Sequence, residues 1–122
     1  MSGEESRRRG AWGEDLAAEY LEGKGYRITA RGWRCRFGEL DIVAEGGGFL
    51  CFVEVKLRRS DRYGGGAEYV DWRKQRKLRL TAELYLQARP TDLQPRFDVI
   101  EVRSPNGLGT KAPIIRHIEG AF

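Results

Sequence analysis

The 122-residue sequence predicts one α/β domain, and three observations carry that prediction. Apolar residues alternate on both sides of Gly46-Gly47-Gly48, as Leu40, Ile42 and Ala44 before it and Cys51, Val53 and Val55 after it, which is the period of a β-hairpin. Stretches with apolar residues at helical spacing stand on either side, over residues 10–22 and 70–89. Another alternating stretch, residues 96–102, follows the second helix. The predicted order is therefore helix, three strands, helix, strand (αβββαβ), with a short last strand at 114–118.

The elements follow in chain order. Residues 1–9 are polar and charged and are expected to form a flexible basic arm, leaving 10–122 as a single domain. In the first helix Trp12, Gly13, Leu16, Ala17, Tyr20 and Leu21 form one apolar arc, while Asp15, Glu19 and Glu22 face solvent. Glu14 falls at the border of the buried arc. It either complements the helix dipole from the first turn or leans as an acid over the sheet. Gly23-Lys24-Gly25 ends this helix, and residues 26–31 have strand composition. Residues 32–38 form a basic and aromatic connection that can extend the strand, with Trp33 and Phe37 as core or base-stacking candidates.

The hairpin sets the chemistry. A two-residue Gly47-Gly48 turn pairs positions that sum to 95 and puts Asp41 opposite Glu54; a three-residue turn would put Asp41 opposite Val53. The two-residue turn is preferred because it keeps both apolar sets on one face. Two carboxylates so placed are about 5 Å apart at Cβ and repel, so something must compensate. A divalent cation would, since Mg²⁺ takes oxygen ligands and is held by one or two carboxylates. Lys56 lies two residues past Glu54, on the same face. Ordinary charges on a wet sheet face are the rival explanation.

After Lys56 the chain runs into a basic, glycine-rich loop over residues 57–66, either a flap over a substrate or a plain connector. The second helix has a stripe of Leu78, Thr81, Ala82, Tyr85 and Leu86, and its first half carries Arg73, Lys74, Arg76, Lys77 and Arg79. That density of positive charge is costly unless phosphates or acids lie nearby. Residues 90–95 are turn-rich, and residues 104–107 turn the chain towards the last strand. His117, the one histidine, is expected to be structural or exposed.

Composition narrows the setting. The chain is 40% hydrophobic and 33% charged, and no apolar run is long enough to span a bilayer. With no apolar signal region at the start, a cytoplasmic protein without membrane contact is expected. Cys35 and Cys51 lack metal or redox spacing. Net charge is +4, and seventeen of the 22 basic residues are arginine, whose planar fork suits phosphate.

This order of elements, with Asp41 and Glu54-Val55-Lys56 in the hairpin, resembles the restriction-endonuclease-like PD-(D/E)xK nuclease core. More narrowly, residues 10–122 resemble the YraN family of small bacterial proteins. The matching residues are Gly13-Glu14, Gly38-Glu39-Leu40-Asp41, Phe52-Val53-Glu54-Val55-Lys56 with Arg58, and Tyr63-Gly64. Further matches are Lys74, Ala82, Tyr85-Leu86, Arg96-Phe97-Asp98-Val99 and Ala121-Phe122. At Gly32 the chain departs from the family pattern, which usually has Asn there.

The resemblance implies a three-layer core, a mixed β-sheet flanked by helices, with kinship to archaeal Holliday-junction resolvases. It implies a Mg²⁺- or Mn²⁺-dependent nuclease acting on DNA, structure-selective rather than sequence-specific. In that reading Asp41 and Glu54, with the carbonyl of Val55, hold the metal, Lys56 orients water or stabilises developing charge, and Glu14 completes the centre. Arg58, Arg73, Lys74, Arg76 and Lys77 contact the nucleic-acid backbone. Relatives that make two symmetric nicks are homodimers, which extends to this chain as an expectation. Two other classes stay open: a non-catalytic nucleic-acid-binding module of the same fold, and a protein-interaction domain whose acids make salt bridges.

Overall fold

A computed structural model describes residues 3–58, 70–104 and 113–122, with residues 3–9 described by backbone alone. It contains helix α1 (Gly3–Gly23), strands β1 (Arg27–Cys35), β2 (Gly38–Gly46) and β3 (Phe49–Arg58), helix α2 (Trp72–Ala88), and strands β4 (Gln94–Arg103) and β5 (Ile114–Ile118). The expected loop over residues 59–66 and the turn over 105–107 lie outside the described residues. The strands form one mixed sheet in the order β1-β2-β3-β4-β5. Only β3 and β4 pair in parallel. Parallel neighbours need a crossover, and α2 lies in the one between them.

The helices cover opposite faces. Ala17, Ala18 and Leu21 of α1 pack on Ile42, Ala44, Cys51, Val53, Ile100 and Val102. Leu78, Ala82 and Tyr85 of α2 pack on Val43, Leu50, Phe52 and Val99. Alternate strand positions thus feed two separate cores, giving the three-layer α/β/α arrangement. No helix among the described residues is long and apolar enough to cross a membrane.

Helical backbone begins at Gly3 rather than at residue 10, so it runs through residues 3–9, for which no structure was expected. No proline interrupts that stretch, and Glu and Arg are good helix formers. Strand β1 extends through Trp33 to Cys35. Trp33 sits edge-on to Tyr85, with ring centroids 5.4 Å apart, and so belongs to the α2 core. Helix α2 starts at Trp72, two residues later than the periodicity indicates, because Asp71 is its N-cap and accepts from the Lys74 N–H at 2.9 Å.

The hairpin has the two-residue turn. Gly46 pairs with Phe49, Ala44 with Cys51 and Ile42 with Val53, while Gly47 and Gly48 have φ of +59° and +86°. Two successive left-handed residues are what the primed hairpin turn requires, and glycine supplies them without steric cost.

The β2–β3 ladder stops at Ile42 and Val53. On the other side of β2, the register with β1 passes from Arg31–Ile42 to Trp33–Leu40, flanking Gly32 at φ +61°. The apolar alternation breaks at the same place. Leu40 packs in the α2 core while Ile42 packs in the α1 core, which corrects the expectation that Leu40 shares a face with Ile42 and Ala44. A left-handed residue in β1 lets the chain turn over at this point. Glycine takes that conformation without the steric cost that a side chain would bring.

Candidate functional site

The place where the ladder stops is where the charges gather. With the β2 ladder ended at Val53, the Val55 N–H donates to Asp41 Oδ2 at 2.9 Å instead. That bond fixes the Asp41 carboxylate at the mouth of the opened strands. Glu14 reaches the same point from α1, and Glu39 from two residues earlier in β2. Carboxylate oxygens of Glu14, Glu39 and Asp41 lie within 4.8 Å of one another. Glu39 also accepts from Arg34 Nε at 3.0 Å.

Glu54 stands beside this trio rather than in it. It is buried at 7% exposure, and its Oε1 is 2.6 Å from Lys74 Nζ and 3.8 Å from Lys56 Nζ. The cation closest to Glu54 therefore comes from α2, twenty residues further along the chain, and not from its near neighbour Lys56.

Electrostatics follow from this crowding. Burial and then the charge of Glu54, with Glu14 adding, push the Asp41 carboxyl up to about 7; the Val55 N–H and Lys74 oppose the shift. Burial likewise raises Glu14, with Glu39 adding and Arg31 opposing. Lys56 is held below the ordinary lysine range by burial and by Lys74. Burial works against the charge on Lys74, but its hydrogen bond to Glu54 prevails and raises it.

Of the residues singled out in the sequence, Asp41, Glu54, Lys56 and Glu14 are brought to one end of the sheet, with Lys74 among them. Arg73, Arg76 and Lys77 line the surface of α2 beside it. Arg58 is placed differently. It is half-buried, with Nε 3.4 Å from Oε2 of the fully buried Glu101, which also accepts from Arg103 Nε at 2.6 Å. Sequence reasoning missed Glu39 and Glu101. Glu39 was findable, because alternation puts residues 39 and 41 on one side of a strand. Glu101 was not, since Arg58 comes to it from β3 and only the sheet pairing brings the two strands side by side.

A second buried network lies on the α1 side of the sheet. Asp98, fully buried, accepts from Arg96, from the Gly120 N–H at 3.1 Å, and pairs with His117 Nε2 at 2.8 Å. Burial opposes ionisation there, but the His117, Arg96 and Gly120 bonds hold the Asp98 carboxyl down at about 2. His117 packs edge-on to Tyr20 and Tyr26, and its side chain is 2% exposed. Its place is structural, tying β5 to β4.

Chemically, the trio offers hard oxygen donors, the kind that suit Mg²⁺ or Mn²⁺. The raised Asp41 carboxyl marks a place where the protein alone under-compensates negative charge, so the donor set fits a divalent cation.

Residues 13–102 match the sequence model of an uncharacterised protein family, UPF0102, the YraN family. A UPF0102 protein of Mycolicibacterium vanbaalenii is 45% identical over 122 residues, covering 98% of each chain. One of Symbiobacterium thermophilum is 52% identical, covering 84% of this chain and 88% of its own, and one of Myxococcus xanthus is 42% identical, covering 97% and 91%.

Proposed function

We propose, from the premise that the chain belongs to the uncharacterised family UPF0102, that it is a metal-dependent phosphodiesterase acting on nucleic acid, in the first place a structure-selective DNA endonuclease. The observation that carries the reading is the gathering of Glu14, Glu39 and Asp41, with the Asp41 carboxyl pushed up to about 7 and the buried Glu54 beside them paired with two lysines.

A divalent cation held by Asp41 and its neighbours would polarise a phosphate and lower the pKa of a bound water. The chain's own residues do the rest. The Val55 N–H fixes which Asp41 oxygen is left for the ligand. Lys74 holds Glu54 in place. Lys56 would orient the attacking water by a hydrogen bond from Nζ or stabilise the charge that develops on the phosphate. Arg73, Arg76 and Lys77 contact flanking phosphates, which gives affinity without sequence choice. The proposal includes a cytoplasmic setting and a homodimer, since paired nicks need two centres.

Incubation with Mg²⁺ or Mn²⁺ and junction, flap and single-stranded DNA tests it. Cleavage by the wild type, lost in Asp41→Ala and in Lys56→Ala, is expected. Cleavage unchanged in both variants refutes the centre. One observation favours the second reading, a non-catalytic nucleic-acid-binding module: Glu54 is already neutralised by Lys74. Salt-sensitive binding with no cleavage under any of these conditions would select it.

A further inference from the structure

Beside the carboxylate centre, along α2, runs a cleft whose cations the hydrolytic reading uses but whose aromatic side chains it does not. Its outer part, about 550 Å³, is lined by Arg36, Phe37, Trp72, Arg76, Lys77 and Leu80. An inner part of about 370 Å³ shares Phe37, Arg73 and Lys77 with it and reaches Glu39 and Lys74. The two make one track that starts at the centre and leads out over the first turns of α2.

Two properties set this track apart. Trp72 is 65% exposed, and with Ile114 it is one of two large apolar side chains left so open among the described residues. Nothing in the packing of α2 needs it there, since it is the first helical residue and the core stripe begins at Leu78. The second property is charge. The Arg73 guanidinium lies 5.2 Å from the Trp72 ring centroid, and that of Arg36 lies 4.9 Å from the Phe37 ring. No described carboxylate makes an ion pair with Arg36, Arg73, Arg76 or Lys77. Asp71, which also lines the inner part, is committed to capping α2.

We infer that this cleft seats unpaired nucleotides of the strand that enters the centre, with a base stacked on Trp72 and phosphates on the surrounding arginines. The inference rests on the nucleic-acid reading above and names its substrate class: a nucleic acid with a single-stranded segment next to the scissile phosphate. A ring exposed among cations is a platform for any base, because every base has a π-face. In a duplex those faces are already stacked, so phosphate contacts alone would leave the Trp72 ring without a role. An acidic peptide would satisfy the charges but gives no reason for an open indole.

The test is equilibrium binding of the full-length chain in EDTA, which separates binding from cleavage. The probes are a labelled oligothymidylate of about 12 nucleotides, within the span of one such site, and a duplex of the same length. Trp72→Ala should weaken oligothymidylate binding about ten- to a hundredfold and change duplex binding about twofold or less. Trp72→Phe, which keeps a ring, should retain most of the affinity. Oligothymidylate should quench the tryptophan emission of the wild type, and Trp72→Phe should bind with most of that quench gone. Since Trp72 is exposed, both variants should melt with the wild type.

Equal losses on the two probes, or no loss on oligothymidylate, overturn the inference. So does a dimer that dissociates in Trp72→Ala without any Trp72-dependent binding of DNA. Trp72-dependent binding in a wild type that never cleaves with metal sustains the inference and sinks the hydrolytic reading. Cleavage indifferent to Trp72 does the reverse.

Discussion

Replacing Asp41 by Asn should make the metal-free protein more stable, not less. Asparagine keeps an oxygen to accept from the Val55 N–H, so the strand opening is preserved. What it removes is a charge that burial, Glu54 and Glu14 disfavour. A carboxyl moved from 3.8 to about 7 carries on the order of 4 kcal/mol between its two protonation states. The folded protein prefers the protonated acid, so this contribution is fully present below pH 3.8 and is lost as pH rises through about 7. In urea unfolding with EDTA, wild type and Asp41→Asn should therefore be nearly equal near pH 4. Their gap should widen to about 2–4 kcal/mol in favour of the variant by pH 8 and then level off. Mn²⁺ should raise the wild-type melting temperature at pH 8 and leave the variant where it was, because only the carboxylate form binds the cation tightly. A variant less stable than wild type at pH 8, or a gap independent of pH, would refute the account of the centre as a site of uncompensated negative charge.

Other substitutions separate the centre from its surroundings. Glu39→Gln should shrink the Mn²⁺-induced rise in melting temperature while changing metal-free stability by about 0.5 kcal/mol or less, since its pairing with Arg34 is a surface one; an undiminished metal response would remove Glu39 from the ligand set. Asp98→Ala should cost about 3–5 kcal/mol in chemical denaturation, because it takes away the buried carboxylate that Arg96, His117 and the Gly120 N–H share, yet the metal response of the folded fraction should persist. With its carboxyl held at about 2, Asp98 contributes stability that is present above pH 3.8 and lost as pH falls through about 2, the reverse of Asp41, and an acid titration of unfolding reads that loss. Arg76→Gln should lower the slope of log affinity against log salt by about 0.7–0.9 with any DNA sequence, and a sequence-dependent change would contradict a purely phosphate-gripping role.

The hairpin and its register were legible in the residues alone. A period of two with a Gly-Gly turn is a local constraint, and it set the pairing from Gly46–Phe49 to Ile42–Val53; beyond that the ladder ends, so the turn alone did not decide how Asp41 stands to Glu54. The apolar stripes of the two helices were legible too, which is why the order of elements could be read in advance. Which charge meets which was decided only by the docking of the layers. Lys74 reached Glu54 because α2 lies over that face; Glu14 met Glu39 and Asp41 because α1 covers the other; Arg58 turned to Glu101 because β4 lies beside β3. Leu40 changed cores because the strand turns over opposite a left-handed Gly32, a break that alternation cannot announce. Apolar residues repeat with the geometry of their own element, so their partners follow from spacing. Charged side chains have no such period, and their partners exist only once separate elements have been packed together.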